Sequence, residues 1–390
     1  MLTGVLAIAT NLSAQNSNVV SAAIEYKKYM PAMMQQNMDE AKSVLMEAKN
    51  LIDPAMNHED TKDDEKANYY NGVIYFGLVE LSTQFEELEQ YQNEETMNMI
   101  KSSFEKAMES RKYKREVEDF VDRKVSQAMT IGQMMFQQKK FDVAYAGFAG
   151  AYELQKMIDV EDEDMKNNAI ISARNHIDTL KKQDKNEEAI EFIQQASEMF
   201  PKNSDIAIQG VNISLDMGDL EQAEKFFQAA ADADPQNKAL FSTMGSIFLS
   251  SADKGFQELQ GMDVTDEGYP AKAEEVEMLY TKAENNLKRA IEIDPEYLDA
   301  SYNLGVLYLG RGQKLEQKAK QMDYNDPNYE TVMAKSEEMY TNAIDPLETY
   351  IKQDPNNAGV LQVLFQVHRR AGNTEKAVEY KKRYEAAAAE

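Results

Sequence analysis

Four of the nine prolines close similar phrases along the second half of the 390-residue chain: Met199-Phe200-Pro201, Ala233-Asp234-Pro235, Ile293-Asp294-Pro295 and Gln353-Asp354-Pro355. Their spacings are 34, 60 and 60 residues. Proline has no N–H to give to a helix and fits only its first turn, so each phrase ends one helix and can seed the next. A recurring period of this size marks an array of small helical units, none of which can bury its apolar face without a neighbour. The second and third spacings exceed the first by the same 26 residues, which predicts two enlarged units of like construction.

The residues between the prolines support that frame. Phe241, Met244-Gly245 and Phe248 are followed by Ala283, Leu287, Ala290 and Pro295. The next unit has Leu304-Gly305 and Tyr308, then Ala343, Leu347, Tyr350 and Pro355. A plain unit precedes them, with Gly218-Asp219, Ala223, Phe227, Ala230 and Pro235. Leu361, Leu364, Gly372-Asn373, Ala377 and Tyr384 close the chain, before an Ala-rich tail suited to capping. Bulky residues three and four apart put an apolar stripe on one helix face, while Gly and Ala let the paired helix come close. These positions resemble the tetratricopeptide repeat family, in which a bulky residue, Leu-Gly and an aromatic mark a first helix and Ala, a bulky residue, Ala and Pro mark a second.

Upstream the same alternation is fainter. Ala173, Ile177 and Leu180 precede Ala189, Ile193 and Ala196; Ala128, Gly132 and Phe136 precede Ala144, Phe148 and Ala151; Tyr69, Tyr70, Gly72 and Tyr75 precede Phe104 and Ala107. Residues 18–53 offer one more unit, closing on Ala41, Leu45 and Ala48. The expected fold is all-α, an α-solenoid of antiparallel helix pairs: a helical N-terminal region over 15–124 and a repeat array over 125–390. The 26-residue insertions fall near 250–280 and 310–340, and Met262-Asp263, Tyr269 and Tyr280-Thr281 recur 60 residues later as Met322-Asp323, Tyr329 and Tyr340-Thr341. Shared between two helices, each insertion adds about 13 residues per helix, roughly 20 Å. The result is two elongated hairpins with tips near 263–270 and 323–327. Asp345-Pro346 should kink or restart the second helix of its unit.

A charge of −26, from 42 basic and 68 acidic residues, argues against nucleic acid and anionic membrane as partners. With no cysteine there is no disulfide, thiolate metal site or cysteine nucleophile. His58, His176 and His368 are too far apart for helical metal-ligand spacing. The acidic stretches 58–65 and 159–164 lack the central Gly and final Glu of an EF-hand and read as solvated loops. Met30, Met33, Met34 and Met38 read as core filling, with an adaptable contact surface as the alternative. Serine-hydrolase, phosphate-loop and dinucleotide motifs are absent. Helical-toroid glycosidases are the enzyme alternative, weakened because the chain has no Trp for a sugar platform. No catalytic residue, cofactor or metal is expected.

The apolar run Leu2–Leu12, followed by Ser13-Ala14-Gln15, reads as the remnant of a signal peptide over 1–14, although no basic residue precedes Lys27. A start upstream of Met1 would supply one, and a first packed helix is the other reading. Export would place the chain in the periplasm or outside the cell; otherwise it is cytoplasmic. The resemblance implies a scaffold without enzymatic activity that holds a protein or peptide in the groove lined by first helices. The projected groove residues are Met129, Gln133, Arg174, Asp178, Gln209, Asn212, Ser242, Ser246, Tyr302, Val306, Gln362, Gln366 and Arg369. Without a lysine ladder there, a neutral or basic segment suits the groove better than an acidic tail. Self-assembly through the two hairpins is a further alternative.

Overall fold

Helix starts follow from side chains at the N-cap. Asn37, Asp64, Asn93, Asp162, Asn203, Asp219, Asn237 and Asn357 each accept a hydrogen bond from the backbone N–H three residues on, satisfying a donor that the helix itself leaves free. The computed structural model describes residues 16–389 except 264 and 324, so the expected signal segment lies outside the described residues. The described residues contain helices and turns and no strand, and none of their helices is long and apolar enough to cross a membrane. Two compact units divide between Glu188 and Ala189.

The first unit contains α1 (16–26), α2 (Tyr29–Met34), α3 (Met38–Met56), α4 (Glu65–Leu81), a 3-10 turn (Glu86–Tyr91), α5 (Glu94–Ala107), α6 (Arg111–Gln137), α7 (Phe141–Lys156) and α8 (Glu163–Lys182). Neighbouring helices pair as α3 with α4, α4 with α5, α6 with α7 and α7 with α8. The stripe Ala41, Leu45 and Ala48 is buried on α3, and Phe104 and Ala107 on α5. α6 runs across residue 125, where the sequence frame begins its array, because its apolar stripe starts earlier with buried Val117, Phe120 and Val121. The methionines divide: Met33 and Met38 pack on the core, while Met30 and Met34 are exposed. The acidic loops serve the helices beside them. Asp64 and Asp162 are N-caps, and Asp63 pairs with Lys106 at 2.6 Å.

α9 (Asn186–Met199) crosses the division, and the second unit continues with α10 (Ser204–Asp216), α11 (Leu220–Ala233), α12 (Lys238–Gln260), α13 (Tyr269–Ile293), α14 (Leu298–Gln321), α15 (Tyr329–Asn342), α16 (Ile344–Gln353), α17 (Ala358–Arg370) and α18 (Thr374–Ala387). The elongated hairpins are present. α12 and α13 have 23 and 25 residues against 13 and 14 in α10 and α11, so they reach about 35 Å. The second helix of the next hairpin ends at Asn342 and restarts at Ile344, with Pro346 in the new first turn. Pro235, Pro295 and Pro355 sit in the turns rather than in the first turn of the next helix: the preceding helices have Asp234, Asp294 and Asp354 as C-caps, and the next begin at Lys238, Leu298 and Ala358.

Close helix pairing rests on missing Cβ atoms. A Cβ on Gly245 would lie 2.7 Å from Leu287 Cγ, and one on Gly305 would lie 2.5 Å from Leu347 Cδ2. Both leucines are fully buried, each contributing roughly 1.5–3 kcal/mol. Successive hairpins are then tied by a repeated polar knot. Tyr280 on α13 donates to Asp253 of α12 at 2.6 Å and also meets Lys314 of α14, which reaches Asp253 at 2.6 Å. Tyr340 on α15 donates to Glu316 of α14 at 3.0 Å, and Arg370 of α17 reaches Glu316 at 3.1 Å and Glu337 at 2.8 Å. Tyr280→Phe removes the shared hydroxyl and is expected to lower stability by about 1 kcal/mol. Urea titration followed by helix circular dichroism checks this, and an unchanged midpoint would show the knot to be idle.

Candidate protein-binding face

In the first unit, α6 and α8 present side chains over α7. Gln133, Phe136 and Gln137 from α6, Phe148 from α7, and Asn168 and Ile171 from α8 line a pocket of about 280 Å³. Its floor forms because a Cβ on Gly132 would lie 2.9 Å from Phe148 Cε1; without one, the ring seats against α6 and is buried. Ile171 keeps 47 % of its surface exposed and Met129, one turn before Gln133, keeps 40 %. The six lining residues carry no formal charge. Gln133 is thus the one projected groove residue in the pocket wall. Arg174 and Asp178 lie exposed further along α8.

In the second unit the projected residues separate. Tyr302 and Val306 are exposed on α14, and Gln362, Gln366 and Arg369 on α17. Asn212 is exposed and Gln209 half-buried on α10. The Tyr302 ring packs against Tyr350 of α16 with centroids 5.1 Å apart, and Tyr350 donates to Asp354 at 3.1 Å. Burial first, and Asp354 next, push the Tyr350 phenol above its usual range. Ser242 does not belong to an open groove: it is 4 % exposed, because α12 is flanked by α11, α13 and α14 and so short a side chain stays beneath them. Ser246 is half-buried, donating to the Ser242 carbonyl at 2.9 Å and accepting from Asn303 at 2.8 Å.

A second cleft of about 830 Å³ opens where the second helix breaks, lined by Lys288, Tyr308, Pro346, His368, Asn373 and Lys376 among others. Its polar groups pair with one another. Glu284 accepts from Lys288 at 2.7 Å, Tyr308 at 2.9 Å and Arg311 at 3.2 Å. Glu348 faces His368 Nε2 at 3.0 Å and accepts from Lys376 at 2.6 Å and Tyr380 at 3.2 Å. Burial works against ionisation of both carboxylates, and these partners outweigh it, holding each below the usual carboxylate range. His368 is 1 % exposed, stacked on Tyr380 and engaged at both ring nitrogens, the second facing Asn373 at 3.4 Å. That arrangement holds helices together. Among the described residues, no group of three or more His, Asp or Glu is placed to hold a metal ion.

Sequence reasoning missed Gln137, Asn168 and Ile171 in the first unit. Their signal was uncharged side chains at solvent-facing positions of first helices in a chain that is 28 % charged.

Stacked antiparallel helix pairs with glycine-mediated close contacts define an α-helical repeat protein. Residues 180–247 match a tetratricopeptide repeat model and 280–312 a TPR repeat model, so the chain carries tetratricopeptide repeats over these segments. No curated protein matches it. Among solved structures it is similar to a TPR repeats protein from Bacteroides fragilis NCTC 9343, with 21 % identity over 63 % of this chain and 98 % of that one and a TM-score of 0.39. It is also similar to YrrB, a TPR protein with an unusual peptide-binding site, with 16 % identity, 56 % and 85 % coverage and a TM-score of 0.35. A third is a tetratricopeptide repeat protein from Parabacteroides merdae ATCC 43184, with 13 % identity, 68 % and 93 % coverage and a TM-score of 0.30. Tetratricopeptide repeats are protein-interaction scaffolds, in general without enzymatic activity.

Proposed function

We propose that the chain is a scaffold without enzymatic activity that holds a partner polypeptide along its first helices, and that it is exported and works in a bacterial cell envelope. The observation that carries the binding reading is the set of uncharged side chains Tyr302, Val306, Gln362 and Gln366 that remain exposed on first helices, while the ion pairs Arg311–Glu284, Arg370–Glu337 and Lys376–Glu348 each engage a second helix. An exposed aromatic beside carboxamides supplies large contact area and adaptable hydrogen bonds at small entropic cost. The charge of −26 favours a neutral or basic partner segment. Export rests on the apolar run Leu2–Leu12 and Ser13-Ala14-Gln15.

Tyr302→Ala combined with Gln366→Ala is expected to weaken partner recovery at least tenfold in quantitative crosslinking from the native cell, with helix content unchanged. An interactome identical to wild type would remove the second-unit face from the reading. Fractionation with N-terminal sequencing tests export: a mature chain beginning near Gln15 outside the cytoplasm is expected, and an intact cytoplasmic chain overturns it.

A further inference from the structure

We infer that the pocket between α6 and α8 seats one large uncharged apolar side chain of an extended partner segment, whose backbone is held by the carboxamides of Gln133, Gln137 and Asn168. The inference rests on the scaffold reading above and names the chemistry of one anchor point within it.

Three features of the pocket select that occupant. Phe136, Phe148 and Ile171 supply its apolar surface, and a volume of about 280 Å³ corresponds to roughly nine waters at liquid density, room for one large side chain rather than a packed helix. No lining residue carries a charge, so an entering Lys, Arg, Asp or Glu would lose its hydration without a counter-charge. The rim consists of carboxamides, each offering two N–H donors and an acceptor carbonyl. That set matches the unpaired N–H and C=O groups of an extended backbone; a helix has already paired its own. Outside the pocket the charge of −26 favours flanks that are neutral or basic.

The probe is a random dodecapeptide phage library selected on the immobilised full chain, followed by fluorescence anisotropy of synthesised binders. Enriched peptides are expected to share one Leu, Ile, Met or Phe with uncharged immediate neighbours. Ile171→Glu, at a half-exposed position that the fold does not need, is expected to weaken them at least tenfold. Gln133→Ala and Asn168→Ala should each weaken them severalfold, with circular dichroism unchanged. The inference falls if no sequence is enriched, if the shared residue is charged, if Ile171→Glu and Asn168→Ala both leave affinity intact, or if a free apolar ligand such as octanol binds the pocket as tightly as the peptides. Peptides that lose affinity on Tyr302→Ala with Gln366→Ala but ignore Ile171→Glu would overturn this anchor while leaving the scaffold reading standing.

Discussion

Leu347→Ala is expected to cost about 2–5 kcal/mol, because a fully buried side chain over the α14 backbone leaves a cavity the hairpin cannot close. The informative companion is Gly305→Ala. In the wild-type background its new Cβ would lie 2.5 Å from Leu347 Cδ2, and overpacking of about 1–3 kcal/mol exceeds or cancels the roughly 1 kcal/mol by which alanine favours a helix over glycine. With Leu347→Ala already in place the clashing atoms are gone and the propensity gain remains, so the same substitution should stabilise by about 1 kcal/mol. Urea unfolding of the four members of this cycle measures the coupling. Additive effects would mean that the glycine is not there to admit the leucine.

Glu348→Ala carries the second large effect. One carboxylate on α16 joins His368 of α17 to Lys376 and Tyr380 of α18, and its loss leaves Nε2 of a buried imidazole without its partner. A cost of about 1–3 kcal/mol is expected, with α18 loosening first, seen as faster amide exchange from residue 374 onward. The pH dependence has a definite sign. The folded-state pKa values of Glu284, Glu316 and Glu348 lie below the ordinary one: for Glu316 the hydrogen bond from Lys320 is the leading cause, and for the other two their partners overcome burial. The stability they contribute is therefore complete above the unfolded value of about 4.3 and is lost as pH falls through their folded values. Unfolding free energy should be flat near neutrality and fall below about pH 4.5, with a shallower fall in Glu348→Gln. An identical acid limb in that variant would remove Glu348 from the account.

Much of the frame was legible because its causes are local. Proline phrases and stripes three and four apart act within one or two turns, so the repeat units from α10 onward and both enlarged hairpins follow from the order of residues. The shared Tyr280 and Tyr340 at one 60-residue offset also foretold like construction. Their acidic partners did not follow the offset: Asp253 serves the first tyrosine, but Glu316 serves the second, one turn beyond the equivalent position 313. A side chain on a helix can be replaced by one a turn away, so the role is repeated without the position.

The sequence by itself determined the repeat, the two enlarged hairpins and the apolar stripes of the repeat helices. Which of the remaining positions stay open was decided only in three dimensions. Ser242 and Tyr302 occupy equivalent positions 60 residues apart on first helices, yet the first is buried and the second exposed. Ile171, outside the stripe Ala173, Ile177 and Leu180 of its helix, forms a pocket wall, while His368, isolated in sequence, becomes the centre of a buried network. Helical periodicity specifies the face a residue occupies; whether that face meets water depends on helices tens of residues away, whose approach is set by glycines, breaks and side-chain volumes acting together.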